Sequence, residues 1–433
     1  MSTLNVVGRA GKFNIITRQD CLSSHAGLLL VKEFVDRLKV AEVLDAQLNV
    51  KQRHRGYTES EAVMALVYNL IVGGDCLTDL EVRRGDPGTR ELIGMKEVMA
   101  PTTAGEHLRK FHIGAIHDLQ RVNRLLQQSV RAEQDEKCCT IDLDSSVYEQ
   151  ASRRKEGSRK AYNGEVGYHP LVAFWDETGE MLMSHLRAGN AYTASKVEWF
   201  LDETIRRVPA RSEKKLRADS GFYSHGVIAW CERDDVEFGI TADQTAPLVE
   251  KIEGLSERRW ADLERYGVSQ VAEVRYQPVG WAKPYRYIVK RDLIEKKNGE
   301  LCFRHFVFVT NNEKGAAAEV LEWQLKKANL ENRIKEHKSG FGLEKLPTGK
   351  FHAHWAYLLI GQIAYNVMQW FKRLVLTKEY HESTIKTVRH QIINLAGKIV
   401  RTGRRAFLVI SEKYKYISVW KEAISNLASL KFA

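Results

Sequence analysis

Over roughly the first 135 positions, apolar residues recur at steps of three and four, the spacing that puts them on one face of a helix. Ser24 precedes one such run, which extends to Leu48. Thr58 and Glu61 form a capping box that opens a helix to Ile71, and Gly73-Gly74-Asp75 turns the chain into another from about Thr78 to Arg84. Thr103 with Glu106 reads as a second capping box, before a helix carrying Arg109 and Lys110. A long helix follows from about Ala115 to Gln134. At Lys137 the period shifts to two. Cys138 to Tyr148 (CCTIDLDSSVY) alternates as a strand, Tyr168 to Trp175 is a second, and Glu177-Thr178-Gly179 turns into a third, Met181 to Leu186. A helix from about Ala194 to Val208 leads to a strand at Lys215 to Ala218, closed by Asp219. A helix (His225 to Arg233) and a strand (Val236 to Thr241) complete the series. Three strands in a meander, followed by two strand–helix crossovers, predict an α/β fold: a mixed sheet with helices on its faces.

Residues 244 to 312 interrupt this order with strand-like runs at Val268 to Tyr276, Tyr285 to Val289 and Cys302 to Val309. Gly280 and Asn298-Gly299 mark their turns, so a β-rich insertion is expected. Beyond it, WQLKKANLENRIKEHKSGFGLEK (323 to 345) has no proline and near-helical apolar spacing, which predicts a helix ending at Gly340. The apolar run Trp355 to Phe371 is shorter than the ~20 residues of a membrane span and contains Gln362, Asn366 and Gln369, so it reads as a buried core helix. The expected organisation is a helical N-terminal domain (1–135), the first part of a core (136–243), the β-rich insertion (244–312), the rest of the core (313–350) and a basic helical C-terminal region (351–433).

Composition narrows the class. With 44% hydrophobic and 28% charged residues the chain is an ordinary globular protein. The opening VVGRAGKFNIITRQD lacks the apolar core of a secretion signal, so a cytoplasmic protein is expected. Its six cysteines show no C-x-x-C spacing and read as reduced thiols, not a zinc site. Net charge is +11, and residues 350–433 hold 14 Lys and Arg against 4 Asp and Glu. A basic end of this kind suits a polyanion, nucleic acid before an anionic membrane, although a solvated basic face has the same composition. A helix, a glycine turn and a second helix near the N-terminus are compatible with a helix-turn-helix and with any helical bundle.

Four acids stand out, two of them on one strand. Asp142 and Asp144 lie two apart on one strand and so share a face, and Asp219 closes another strand at the C-terminal edge, where α/β sheets place their sites. Glu331 lies on the helix after the last strand, with Lys327 and Lys338 on its face. Carboxylates gathered at such an edge repel one another unless a cation joins them, and hard oxygen donors select Mg²⁺ or Mn²⁺. Two ions about 3.5–4 Å apart would serve phosphodiester chemistry. Taken singly, each acid also has a plain structural use: Asp144 in a turn, Asp219 as a helix cap, Glu331 in a surface ladder.

DLDSSV, LRADSGFYS and ENRIKEHK together resemble the three acidic motifs of DDE-type bacterial insertion-sequence transposases, whose core is ribonuclease-H-like. Asp144-Ser145-Ser146 matches the first motif, Asp219-Ser220-Gly221-Phe222 the second, and Glu331 with Lys338 the third. Gln324 and Lys327 stand where that motif usually has Tyr and Arg. The β-rich insertion, HLRAGNAYTA and the terminal LAGKIVRTGRR resemble insertion-sequence family thirteen-eighty, and the likeness spans about residues 24 to 415. It implies a transposase that cleaves double-stranded DNA at the inverted-repeat ends of its element and joins the freed 3′-hydroxyl to target DNA. Asp144, Asp219 and Glu331 would hold two Mg²⁺ or Mn²⁺ ions, with Asp142 as the alternative first ligand. Lys327 and Lys338 would grip the phosphate beside the scissile bond, and Arg333 and Lys335 would also contact DNA. Basic residues Arg153, Arg154, Lys155, Arg159 and Lys160, and Lys398, Arg401, Arg404 and Arg405, are expected as further DNA contacts. Trp281 would either stack on a flipped base or pack within the insertion. His337, His352 and His354 read as core or solvent residues. A homodimer on DNA in the nucleoid is expected, with no membrane partner. A catalytically silent DNA-binding protein and a metal-dependent nuclease without strand transfer are the competing readings.

Overall fold

The computed structural model describes residues 5–17, 20–51, 56–150, 152–263 and 269–432. Its centre is a nine-stranded sheet of β1 (Cys138–Ser145), β2 (Leu171–Trp175), β3 (Met181–His185), β4 (Glu213–Ala218), β5 (Glu237–Thr241), β6 (Ala261–Asp262), β7 (Ser269–Tyr276), β8 (Tyr285–Glu295) and β9 (Leu301–Thr310). The order across the sheet is β6-β7-β8-β9-β5-β4-β1-β2-β3. β4 runs parallel to β1 and to β5, and β1, β2 and β3 form the antiparallel meander. The expected sequence of meander and crossovers is therefore present. The strands of the insertion continue this sheet, since β9 pairs antiparallel with β5. Val268, the expected start of β7, lies outside the described residues.

Alternation along β1 divides two cores. Cys139, Ile141 and Leu143 face α1 (Val197–Ile205) and α2 (His225–Arg233), packing with Phe200, Leu201, Val227 and Trp230. Positions 142 and 144 point to the other side, level with Phe174 and Val172 of β2. That side carries a segment with four successive turns: α3 (Ala317–Leu325), a 3₁₀ turn (Lys326–Ala328), α4 (Asn329–Lys335) and a π turn (Glu336–Gly340). It ends at Gly340, as its sequence predicts. Next to it α5 (Phe351–Leu374) is buried from Ala353 to Lys372 and packs against β3 and the N-terminal helices. Gln362 and Asn366 are satisfied by Ser184 and by the backbone of Met181. Among the described residues no helix is long and apolar enough to cross a membrane.

Four expectations are corrected. The first 135 residues are not wholly helical: Asn5–Ala10 and Phe13–Thr17 form a hairpin closed at Gly11 (φ +59°), a left-handed position that suits glycine. The run behind Ser24 is two helices, Leu28–Arg37 and Val40–Gln47, interrupted where Lys39 adopts φ 55°. The helix carrying Arg109 starts at Pro101, so Thr103 lies inside its first turn and caps nothing, whereas the Thr58–Glu61 box forms as expected. The C-terminal region is not all helix either. Gly397–Thr402 and Arg405–Val409 pair in a hairpin, and the first of these strands also pairs with Cys21–Ser23.

Candidate active site

β1 and β4 are adjacent and parallel, so the polypeptide leaves both at the same edge of the sheet. Asp144 sits near the end of β1, where its carboxylate accepts the Ser145 backbone N–H at 2.7 Å. Asp219 follows the last residue of β4 and accepts the Gly221 N–H at 3.1 Å, capping a short 3₁₀ turn at Ser220–Phe222. The cap reading of Asp219 is thus correct as far as it goes. Burial raises the Asp219 pKa above the usual carboxylate range, and the negative charge of Asp144 raises it further. Lys327 and the Gly221 N–H act in the opposite direction. Lys327 also lies 3.4 Å from the Asp144 carboxylate. The 3₁₀ turn between α3 and α4 thus brings the cation expected near Glu331 onto the first two acids. Glu331 itself is exposed, one turn further on, and lines a cavity of about 270 Å³ together with Asp144, Ser146, Lys335, Lys338 and Glu344.

Asp144, Asp219 and Glu331 offer oxygen donors, the kind a hard divalent cation takes, but the three carboxylates do not come mutually within 4.8 Å in this structure. Among the described residues, the one group of three with ligand atoms mutually within 4.8 Å lies elsewhere, at Asp75, Cys76 and Asp79. There the Asp79 carboxylate accepts the N–H groups of Asp75 and Cys76, and Asp75 pairs with Lys345, so turn geometry accounts for the cluster.

Asp142, the alternative ligand, is fully buried, and both its oxygens accept from Arg217 at 2.7 and 2.9 Å. Burial lifts its pKa to about 6 against the pull of Arg217. Arg217 also pairs with Asp176 at 2.7 Å and donates to the Trp323 carbonyl of α3 at 2.7 Å. Arg333, two residues after Glu331, closes the network on Asp176 at 2.8 Å. Four charges therefore fasten the helix of the third acid to the strands of the first two. Arg217 escapes a sequence reading that looks for acids. Its only signal is an arginine between Leu216 and Ala218, at the alternation of β4 that faces Asp142.

The remaining basic residues divide into those held by partners and those exposed at the surface. Arg333 is committed to Asp176. Lys155 donates to Gln150 and to the Leu346 carbonyl, and Lys338 donates to the Val147 carbonyl at 2.8 Å while lying over the Tyr148 ring. Lys398 pairs with Asp20 and Arg401 with Glu91 on the terminal hairpin. Arg153, Arg154, Arg159, Lys160, Lys335, Arg404 and Arg405 are exposed. Trp281 packs against Tyr223, His225 and Tyr285, four residues and more beyond Asp219. His337 and His354 are core residues held by the hydroxyls of Tyr148 and Tyr168. Gln324 is buried against Gly239 of β5.

In comparison with solved structures, the chain is similar to the piggyBac transposase in a synaptic complex with hairpin DNA, at 12% identity, covering 87% of this chain and 82% of that one, with a TM-score of 0.45. It is also similar to the Mos1 transposase in a paired-end complex with the left transposon end (11% identity, 44% and 62% coverage, TM-score 0.17). The Mos1 strand transfer complex matches over 44% of this chain and 61% of that one, at 11% identity and TM-score 0.17. No curated protein matches it in sequence. Residues 12–432 match the family model described as transposase DDE domain, group 1, and the chain belongs to this family of DDE transposases.

Proposed function

We propose that this transposase hydrolyses DNA at the inverted-repeat ends of its element and joins the freed 3′-hydroxyl to target DNA. The core would be ribonuclease-H-like, with Asp144, Asp219 and Glu331 holding two Mg²⁺ or Mn²⁺ ions. The observation that supports the reading is that Asp144 and Asp219 stand at the same edge of two adjacent parallel strands, with Asp144 and Glu331 lining one cavity. Such ions supply Lewis-acid activation of the attacking oxygen and charge neutralisation at the leaving oxygen.

The protein's own residues have separate tasks. Asp144 and Asp219 provide negative charge at the edge, and Lys327 keeps that charge from repelling a phosphodiester. Lys335 adds a cation at the rim of the cavity. The buried network through Arg217 and Arg333 keeps α4 in register with β1 and β4, so that Glu331 is presented without reorganisation. Exposed Arg153, Arg154, Arg159, Lys160, Arg404 and Arg405 would grip the DNA backbone, which positions the duplex without reading its sequence. A homodimer would hold both ends of the element, acting on DNA in the cytoplasm.

Incubation of the full-length protein with Mg²⁺, a duplex bearing element ends and a supercoiled target tests the reading. Cleaved ends together with joined product are expected. Cleavage without joining of pre-cut ends would reduce the protein to a nuclease, and binding without cleavage would make it catalytically silent. Sizing with and without DNA tests the dimer.

A further inference from the structure

Cross-strand pairing sorts the side chains of the N-terminal hairpin onto two faces. Gly8 opposes Ile15 and Ala10 opposes Phe13 on one face, while Arg9 opposes Asn14 on the other. The first face is therefore apolar over four successive positions, and it is bare. Phe13 and Ile15, together with Val7 at the bulge of the first strand, are between 47% and 77% exposed. Among the described residues no hydrogen bond leads from this hairpin to the rest of the chain, and none of its residues belongs to a hydrophobic core. Two strands alone are marginal in water, so a hairpin of this composition needs a surface to pack on.

A second bare apolar surface lies on the small sheet that joins Cys21–Ser23 to the C-terminal hairpin. Ile399 and Leu408 oppose each other on its inner face, where Ile399 is buried and Leu408 packs against the core. The alternate positions face outward: Leu22, Lys398 and Val409 form one row, and Val400 and Phe407 the next. Leu22, Phe407 and Val409 are between 48% and 56% exposed. Lys398, the charge among them, pairs with Asp20 at 2.9 Å.

The two surfaces match in character, yet the chain cannot bring its own together. Residues 18–20 alone separate the hairpin from Cys21, and three residues reach at most about 11 Å when straight. Packed β-layers stand about 10 Å apart, so such a link is used up in the climb and cannot also turn the hairpin back over its own sheet. A second copy is under no such constraint. We propose that two copies of this chain exchange N-terminal hairpins, each seating Phe13 and Ile15 on the outer face formed by Leu22, Phe407 and Val409 of the other copy. The contact is self-complementary, as a two-fold dimer requires. Three well-exposed apolar side chains on each surface give roughly 600 Å² per seated hairpin, and two seats give roughly 1,200 Å², where specific interfaces begin. The proposal rests on the homodimer of the proposed function and supplies it with an interface that needs neither DNA nor metal.

The test uses the full-length protein without DNA. Sedimentation at micromolar concentration is expected to show a dimer. Phe13→Ser and Phe407→Ser should each raise its dissociation constant about ten-fold or more, the scale for truncating a buried aromatic anchor. The double variant should be little worse than either, because both changes remove one contact. Both rings are exposed in a single copy, so both variants should keep the wild-type circular dichroism. Phe13→benzoylphenylalanine, photolysed in an equilibrated mixture of isotopically light and heavy copies, should join light hairpins to heavy peptides spanning 21–23 or 397–409. Cross-links confined to one isotope would seat the hairpin on its own sheet and overturn the exchange, as would cross-links to other segments or none. A dimer indifferent to both serine variants would overturn it and leave the proposed homodimer standing, and so would a protein that dimerises only on element-end DNA. A monomer both with and without that DNA would overturn both.

Discussion

Arg217 and Asp142 face each other across adjacent strands, joined by two N–H···O bonds of 2.7 and 2.9 Å, with neither side chain exposed to solvent. A bidentate buried pair of this kind is costly to break on one side, because the remaining charge is left in an apolar interior. Arg217→Met is expected to lower the unfolding free energy by about 3–5 kcal/mol. Arg217→Lys should recover only part of the loss, since an ammonium cannot span both oxygens. Urea denaturation checks this, and a loss below about 1 kcal/mol for Arg217→Met would mean that the pair is replaceable.

Arg333 gives a prediction about rate. It is bound to Asp176 through its side chain and through the Asp176 carbonyl at 2.6 Å, and it lies two residues past Glu331. Arg333→Gln should let α4 shift and lower the single-turnover cleavage rate about a hundred-fold, the penalty for an ångström-scale misplacement. DNA affinity should change far less than the rate. Equal losses in affinity and rate would instead make Arg333 a DNA contact.

The packing of the third-acid helix on the sheet can be tested without altering a charge. A Cβ at Gly239 of β5 would lie 2.3 Å from Gln324 Oε1 and 2.7 Å from the Trp323 ring. Gly239→Ala is expected to destabilise the protein by about 1–3 kcal/mol, the range for overpacking. Thermal melting reads the effect, and Gly239→Ala combined with Gln324→Ala should melt higher than Gly239→Ala alone.

Four buried histidines set an acid limit. Burial lowers the pKa of His107 and His354 to about 4 and of His185 and His337 to about 3, from an ordinary 6.5. Below pH ~6.5 the unfolded chain binds protons at these positions and the folded chain does not. Stability therefore falls as pH drops from about 6.5 toward 4, by at most about 1.4 kcal/mol per pH unit for each histidine. Unfolding measured at pH 7, 6 and 5 should show this slope, and His337→Gln should reduce it. Stability independent of pH over this interval would contradict the assignment.

Much of this was legible in the sequence because the relevant signals are local. The alternation of CCTIDLDS placed Asp144 on the face opposite Ile141 and Leu143, and glycine-marked turns gave the meander. The missed parts depend on contacts distant in sequence. Nothing near Cys21 announces that it pairs with Ile399, and nothing in LEWQLKK announces a 3₁₀ turn that swings Lys327 onto Asp144. Asp142 and Asp144 have identical patterning, and only the burial of Arg217 opposite one of them distinguishes an anchor from a candidate ligand. Basic residues read as DNA contacts proved partly occupied, as with Lys155 and Arg333, because sequence shows a charge but not its partner.

Asp144, Asp219 and Glu331 are proposed to act as one unit. The most direct measurement is the single-turnover rate of cleavage at an element end, in Mg²⁺ and at saturating DNA, for Asp144→Asn, Asp219→Asn, Glu331→Gln and the triple variant. Each single change is predicted to reduce the rate by orders of magnitude, and the triple variant to be little worse than any single one, as for groups that work together. If any one of the three variants retained a rate within about ten-fold of the wild type, the unit as described would be wrong.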